Sequence, residues 1–153
     1  MTKTLSVSAI KNGTVIDHIP AGQALRIMRL LRVLDSQKNK VTLGLNLPSK
    51  LLGLKDLIKI ENRVLTNREA NEIVIFAPLA TINIIQEFEV KQKITTHLPE
   101  SISNVFFCPN TACITQHEPI QSVFHIREQG KIVKLICHYC EKEFDRDLVK
   151  VNI

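Results

Sequence analysis

All four cysteines of the chain lie in one stretch, FFCPNTACITQHEPIQSVFHIREQGKIVKLICHYCEKEF, which spans residues 106–144. Cys108 and Cys113 form one close pair and Cys137 and Cys140 form another, with 23 residues between the pairs. Two close pairs brought together by a hairpin are the expected source of the four thiolates that hold a structural Zn²⁺ ion tetrahedrally. The spacing therefore predicts one structural zinc ion per chain. A complete shell of sulfur ligands leaves no position for a catalytic water.

The apolar residues around these cysteines are too few for a secure core of their own, so metal binding is expected to supply folding free energy. The polar segment TTHLPES, residues 95–101, precedes this region. We therefore place a small all-β zinc-ribbon domain at residues 99–153. Two disulfides are the alternative, but the sequence shows neither a signal-like apolar start nor a membrane-length apolar run. We expect a cytoplasmic protein with no membrane partner, and a reducing compartment favours metal ligation.

Residues 1–98 show the patterns of an α+β domain. Period-two alternation and Val, Ile and Thr content predict strands, while an amphipathic repeat and a capping box at Thr66 and Glu69 predict helices. The predicted strands are 3–10, 14–19, 40–47, 55–62 and 80–90, and the predicted helices are 21–35 and 67–76. The strands 40–47 and 55–62 are expected to pair as a hairpin across residues 49–54. This order predicts an antiparallel sheet with both helices on one face, a ferredoxin-like fold.

The charge of the chain leaves several functions open. Lysine and arginine number 20 against 15 acidic residues, for a net charge of +5. A basic zinc-ribbon protein that binds nucleic acid is therefore an alternative. The absence of Trp and the single Tyr disfavour it, because few rings are present for bases to stack on, and we expect no nucleic-acid partner. No motif pairs a nucleophile with a base, so an enzyme is not expected.

Several blocks of sequence, taken in order, resemble the aspartate carbamoyltransferase regulatory chain. They are GTVIDHIPA (13–21), GLNLPS (44–49), KDLIKIEN (55–62), AP-x-AT-x-N (77–83), CPN-x-x-CI (108–114) and C-x-YCEKEF (137–144). The resemblance implies a non-catalytic allosteric subunit that controls pyrimidine biosynthesis. Residues 1–98 would bind the nucleotide effectors ATP, CTP and UTP, which Mg²⁺ can accompany. Residues 99–153 would dock on catalytic chains, and two regulatory chains would form a homodimer.

The resemblance also implies an effector site. Ala9, Ile10 and Val15 would line the base and sugar, Asp17 and Lys59 would lie near the ribose, and His18 and Lys93 would approach the phosphates. The last predicted strand would complete the pocket with Asn83, Ile85, Phe88 and Val90. No glycine-rich phosphate loop is present, so cationic side chains would have to hold the phosphates. Asn110 and Glu141 are candidates for the docking surface. Three residues depart from those familiar in the family: Ser8, Phe88 and Ala112.

Overall fold

The structure of the chain is a computed structural model that describes residues 8–36, 38–130 and 132–151. It separates into a first compact unit that ends at His97 and a second that begins at Leu98. Most of the strand predicted over residues 3–10 lies outside the described residues, and Ser8–Ile10 are not in a strand.

The described part of the first unit is a five-stranded antiparallel sheet in the order β2-β3-β1-β4-β5. Its strands are β1 (Gly13–Pro20), β2 (Val41–Ser49), β3 (Gly53–Glu61), β4 (Thr81–Gln86) and β5 (Glu89–Ile94). Its helices are α1 (Ala24–Leu30), α2 (Val33–Ser36) and α3 (Asn67–Ile73). The first four strands with α1 and α3 have the ferredoxin-like order, which confirms the predicted fold class, and β5 extends the sheet at one edge.

Alternation along the strands separates the core from the opposite face of the sheet. Six isoleucines of the central strands are buried: Ile16, Ile19, Ile58, Ile60, Ile82 and Ile84. Helix α1 packs against α3 and β3, and its core residues Ala24 and Ile27 are fully buried. The buried Asp56 carboxylate accepts the backbone N–H groups of Gly22 and Ala24, so it caps the start of α1 from a neighbouring strand.

The prediction of a single helix over residues 21–35 is wrong. The chain breaks at Arg32, which has a φ of 53° in the left-handed region, and α2 begins at Val33. Leu31 and Val33, on either side of the break, are both buried. The break therefore directs both side chains into the core, which outweighs the helical repeat of the sequence.

The single strand predicted over residues 80–90 is also wrong. The chain reverses at Glu87 and Phe88, whose φ values of 51° and 66° fit a two-residue hairpin turn of type I′. The Phe88 N–H donates to the Lys11 carbonyl at 2.9 Å, and the Glu87 N–H donates to Asn12 Oδ1 at 3.2 Å. These contacts with a distant segment compensate for a turn that lacks glycine.

Two other local predictions are confirmed. The capping box forms as predicted, with Thr66 Oγ1 accepting the Glu69 N–H and the Glu69 side chain accepting the Thr66 N–H. Strands β2 and β3 pair as the predicted hairpin. No helix in the described ranges is long and apolar enough to cross a membrane.

The second unit is all-β, as predicted, apart from two short 3₁₀ turns (Ile114–Gln116 and Arg146–Leu148). Its strands are β6 (Ser101–Ser103), β7 (Phe106–Phe107), β8 (Val123–Gln129), β9 (Ile132–Cys137), β10 (Glu143–Asp145) and β11 (Lys150–Val151). They form a sheet in the order β10-β9-β8-β6 and a pair β11-β7. The small core contains Phe106 and Phe124, whose rings meet edge to face with centroids 6.0 Å apart.

Candidate metal centre and lysine face

The four cysteines converge on one point of the second unit. Cys108 follows β7, Cys137 ends β9, and Cys113 and Cys140 lie in the turns that follow these strands. All four sulfur atoms lie within 4.8 Å of one another, with Sγ–Sγ distances of 3.8 Å for Cys108–Cys140 and 3.7 Å for Cys113–Cys137. A tetrahedral ion with sulfur ligands at ~2.3 Å requires Sγ–Sγ distances of about 3.8 Å. The geometry therefore fits a structural metal ion.

The environment of the thiols makes a bound cation important for their ionisation. Burial raises the pKa of the Cys108 and Cys137 thiols, so the thiolates need a positive charge close by. Burial also opposes ionisation of Cys140, but hydrogen bonds from the Asn110 side chain and the Lys142 backbone lower its pKa to about 7. The Thr115 hydroxyl lies 3.1 Å from the Cys113 sulfur. These polar groups can stabilise the excess negative charge of four thiolates around a divalent ion.

The histidines of this region lie outside the sulfur cluster. His125 Nε2 lies 2.9 Å from His138 Nδ1, and His117 Nε2 lies 3.1 Å from the Thr111 carbonyl oxygen. The docking candidate Asn110 is half-buried, and its Oδ1 accepts the Ala112 N–H. Asn110 therefore helps to hold the loop of the first cysteine pair. Glu141, the other docking candidate, is exposed.

In the first unit, strand register brings most of the predicted effector residues to one face of the sheet. Lys59 pairs with Val15, Val15 with Asn83, and Asn83 with Lys93, so these four form a row across β3, β1, β4 and β5. Because side chains alternate, this face is opposite the buried isoleucines. We call it the lysine face, and its members are Val15, Asp17, Lys59, Asn83, Ile85, Val90 and Lys93.

The other predicted effector residues lie near this face but not in the row. His18, with a φ of 58°, occupies an irregularity of β1 and its Nδ1 lies 3.1 Å from Thr81 Oγ1. Ile10 is buried and Ala9 is exposed in the segment before β1. Phe88 is 63% exposed at the tip of the β4–β5 hairpin. Its main-chain N–H is engaged by Lys11, so that N–H is not free to read a base edge.

Two charged groups of the lysine face, Lys59 and Asp17, already have partners. Lys59 is only 9% exposed and its Nζ donates to the Ser8 carbonyl at 2.7 Å. Burial lowers the pKa of Lys59, and nearby Asp17 opposes this. The Asp17 carboxylate accepts the His18 N–H at 2.7 Å and lies 2.9 Å from Lys55 Nζ. A nucleotide phosphate or ribose hydroxyl would therefore have to exchange with these contacts or share them.

Sequence reasoning did not select Thr81, which pairs with Asp17 across β1 and β4 and contacts His18. Alternation could have identified it, because Thr81 lies two residues before Asn83 and so projects to the same face. The Ser8 carbonyl had no signal in the sequence, since a main-chain acceptor carries no residue type.

The fold and the cysteine centre define a class of two-unit metal-binding proteins, in which a ferredoxin-like sheet with a basic face precedes a small unit around a closed thiolate site. Two family descriptions match the chain: "aspartate carbamoyltransferase regulatory chain, allosteric domain" over residues 5–97, and the "metal binding domain" of the same chain over residues 100–150.

Curated relatives match over nearly the whole chain. The aspartate carbamoyltransferase regulatory chain of Tolumonas auensis is 52% identical over 147 residues, which cover 96% of this chain and 95% of the relative. The regulatory chains of Aeromonas hydrophila and Chromobacterium violaceum are 50% and 48% identical, with coverage of 95% and 97% of this chain and of 94% and 97% of the relatives. The chain belongs to the aspartate carbamoyltransferase regulatory chain family, which confirms the resemblance and the prediction of a non-catalytic subunit.

Proposed function

We propose that this chain binds the nucleotide effectors ATP, CTP and UTP, with or without Mg²⁺, on its lysine face. Through associated catalytic chains it would control pyrimidine biosynthesis. The observation that carries the proposal is the row Lys59, Val15, Asn83 and Lys93, in which an apolar side chain and an amide lie between two lysines. Such a row offers separate contacts for phosphate, ribose and base.

Each part of a nucleotide has a suitable group on or near this face. The exposed Lys93 and the nearby His18 are assigned to the phosphates, for which a flexible ammonium group is a suitable partner. Asp17 and Lys59 are assigned to the ribose. Apolar contact with the base and sugar falls to Ala9, Ile10, Val15, Ile85, Phe88 and Val90, and Asn83 adds an amide.

For the second unit, we propose that Zn²⁺ is the ion held by Cys108, Cys113, Cys137 and Cys140. The four-sulfur donor set and its spacing suit this ion. This unit would dock on catalytic chains, with Asn110 and Glu141 near the contact, and two regulatory chains would pair as a homodimer. We expect the protein in the cytoplasm, where reducing conditions keep the thiols available as ligands.

Titration calorimetry of the zinc-loaded chain with ATP and CTP tests the effector site. Replacing Lys93 with Gln removes one charge-assisted hydrogen bond, and we expect an affinity about tenfold weaker, since 1.4 kcal/mol corresponds to a factor of ten. Lys50→Gln is the matched control, because Lys50 is an exposed lysine in the β2–β3 turn of the same unit. Absence of nucleotide binding by the parent chain, or equal losses in both variants, would refute the proposed site.

A further inference from the structure

A side chain of α3 forms a hydrogen bond with the connection that leaves the first unit. After β5 ends at the buried Ile94, the chain runs through Thr95 and Thr96 to His97, the last residue of the unit. The His97 backbone N–H donates to Asn71 Oδ1 at 3.0 Å. This hydrogen bond joins the exit of the chain to a helix 26 residues earlier in sequence.

Asn71 is well placed to serve as an anchor because α3 is itself firmly held. Its neighbours Ala70 and Ile73 are fully buried in the core. At the start of the helix, Glu69 takes part in the capping box and lies 2.7 Å from Arg63 Nη2. The hydrogen bond to Asn71 therefore links the His97 main chain to a helix that packs in the core of the first unit.

Pro99 and the hydrogen bond of His97 both restrict the main chain of the connection. Pro99 fixes its own φ and restricts Leu98 to extended conformations. With His97 bonded to α3, Thr95 and Thr96 are the remaining residues of the connection between the buried Ile94 and the bonded His97. Loss of the bond would remove a side-chain restraint on the main chain between Ile94 and Pro99.

We propose that Asn71 is a positioning residue that fixes the exit of the chain, so that effector occupancy of the first unit reaches the metal-binding unit. The inference rests on the proposed function, because it requires that effectors bind the first unit. A ligand shifts a distant equilibrium only if the two states differ at its own site and a structural link transmits that difference. In this chain the link includes α3, Asn71 and the His97 main chain.

The test uses the full chain assembled with the catalytic chains of the same organism. Asn71→Ala removes the acceptor, Asn71→Asp keeps an oxygen at the same place, and Asn67→Ala makes the same change at an exposed position of the same helix. For each variant, we measure ATP affinity, the shift in aspartate half-saturation caused by ATP, and hydrogen exchange at the His97 amide.

We expect ATP affinity within twofold of the parent in all three variants. In Asn71→Ala the effector-induced shift should fall by at least half and His97 exchange should accelerate about two- to tenfold, the factor expected for loss of one ordinary hydrogen bond. Asn71→Asp should restore both, and Asn67→Ala should change neither. A full effector response in Asn71→Ala, unchanged exchange at His97, or loss of the response in Asn71→Asp overturns the inference alone. Absence of an ATP response in the parent assembly overturns the proposed function and the inference together.

Discussion

Replacement of Gly13 with Ala is expected to damage the centre of the first unit. Gly13 opens β1, pairs with Glu61 of β3 and Ile85 of β4, and has a φ of 142°. A Cβ at this position would lie 2.1 Å from the Ile60 carbonyl oxygen and 3.0 Å from the Glu61 Cα. The nearest atom is main chain in the middle of the sheet, so it cannot move aside as a flexible side chain would.

The size of the effect follows from the contact and the dihedral angle. To reach a separation of 3.0 Å from 2.1 Å, the methyl group and the β3 main chain must move apart by about 0.9 Å, which stretches the β1–β3 hydrogen bonds. Overpacking of this kind costs about 1–3 kcal/mol, and the φ value adds about 1–2 kcal/mol. We expect the free energy of unfolding of the first unit to fall by about 2–5 kcal/mol.

Urea unfolding of the metal-loaded chain, followed by far-ultraviolet circular dichroism, measures this loss. Gly53→Ala is the control in the same sheet, since Gly53 has a φ of 77° but no atom within 4 Å of the added Cβ. It should cost only about 1 kcal/mol, from the dihedral strain. The steric reasoning is refuted if Gly13→Ala proves no more destabilising than Gly53→Ala.

Three further predictions concern the metal, a helix cap and pH. Chelation of the metal, or Cys113→Ser, should abolish hydrogen-exchange protection in the second unit while the first unit keeps its protection; equal loss in both units would show that they do not fold separately. Thr66→Ala should lower the free energy of unfolding by about 1 kcal/mol and Thr66→Ser by much less, in the same urea assay; similar losses would exclude the capping hydroxyl. Burial raises the pKa of the Glu72 carboxyl above 4.5, so the folded state binds the carboxyl proton more tightly than the unfolded state does. The free energy of unfolding therefore falls as pH rises from about 4.5 through the raised pKa. Glu72→Gln should therefore raise the free energy of unfolding at pH 7 and leave it unchanged at pH 3; a gain of equal size at both would contradict the assignment.

Local patterns were sufficient where the structure depends on neighbours in sequence. The spacing of Cys108, Cys113, Cys137 and Cys140 predicted a single cluster because ligand pairs on short loops have few other ways to meet. The capping box at Thr66 could be predicted from the sequence because both of its hydrogen bonds span three residues. Strand alternation likewise predicted the β2–β3 hairpin.

Long-range contacts decide the features that sequence did not predict. The turn at Glu87 and Phe88 lacks the usual Asn-Gly signal, and both of its N–H groups bond to Lys11 and Asn12. The break at Arg32 follows from burial on both sides of it. The hydrogen-bond acceptor of Lys59 is the Ser8 carbonyl, and no residue pattern specifies a main-chain acceptor.

The lysine face combines both kinds of information. Family resemblance selected its residues individually, and strand register shows that Lys59, Val15, Asn83 and Lys93 share one row. Alternation alone would have placed Asn83 and Phe88 on opposite faces of one strand. The hairpin turn removes that conflict because Phe88 lies at its tip.

In the proposed function, a nucleotide on the lysine face changes the behaviour of catalytic chains bound to this protein. The most direct test is to assemble the zinc-loaded chain with the catalytic chains of the same organism and to record particle mass and aspartate saturation with ATP, with CTP and without nucleotide. We predict a stable complex whose half-saturation shifts with nucleotide, and a Lys93→Gln complex of the same mass whose shift requires about tenfold more nucleotide. Failure of the chains to associate, or an aspartate saturation curve that neither nucleotide changes, would contradict this proposal.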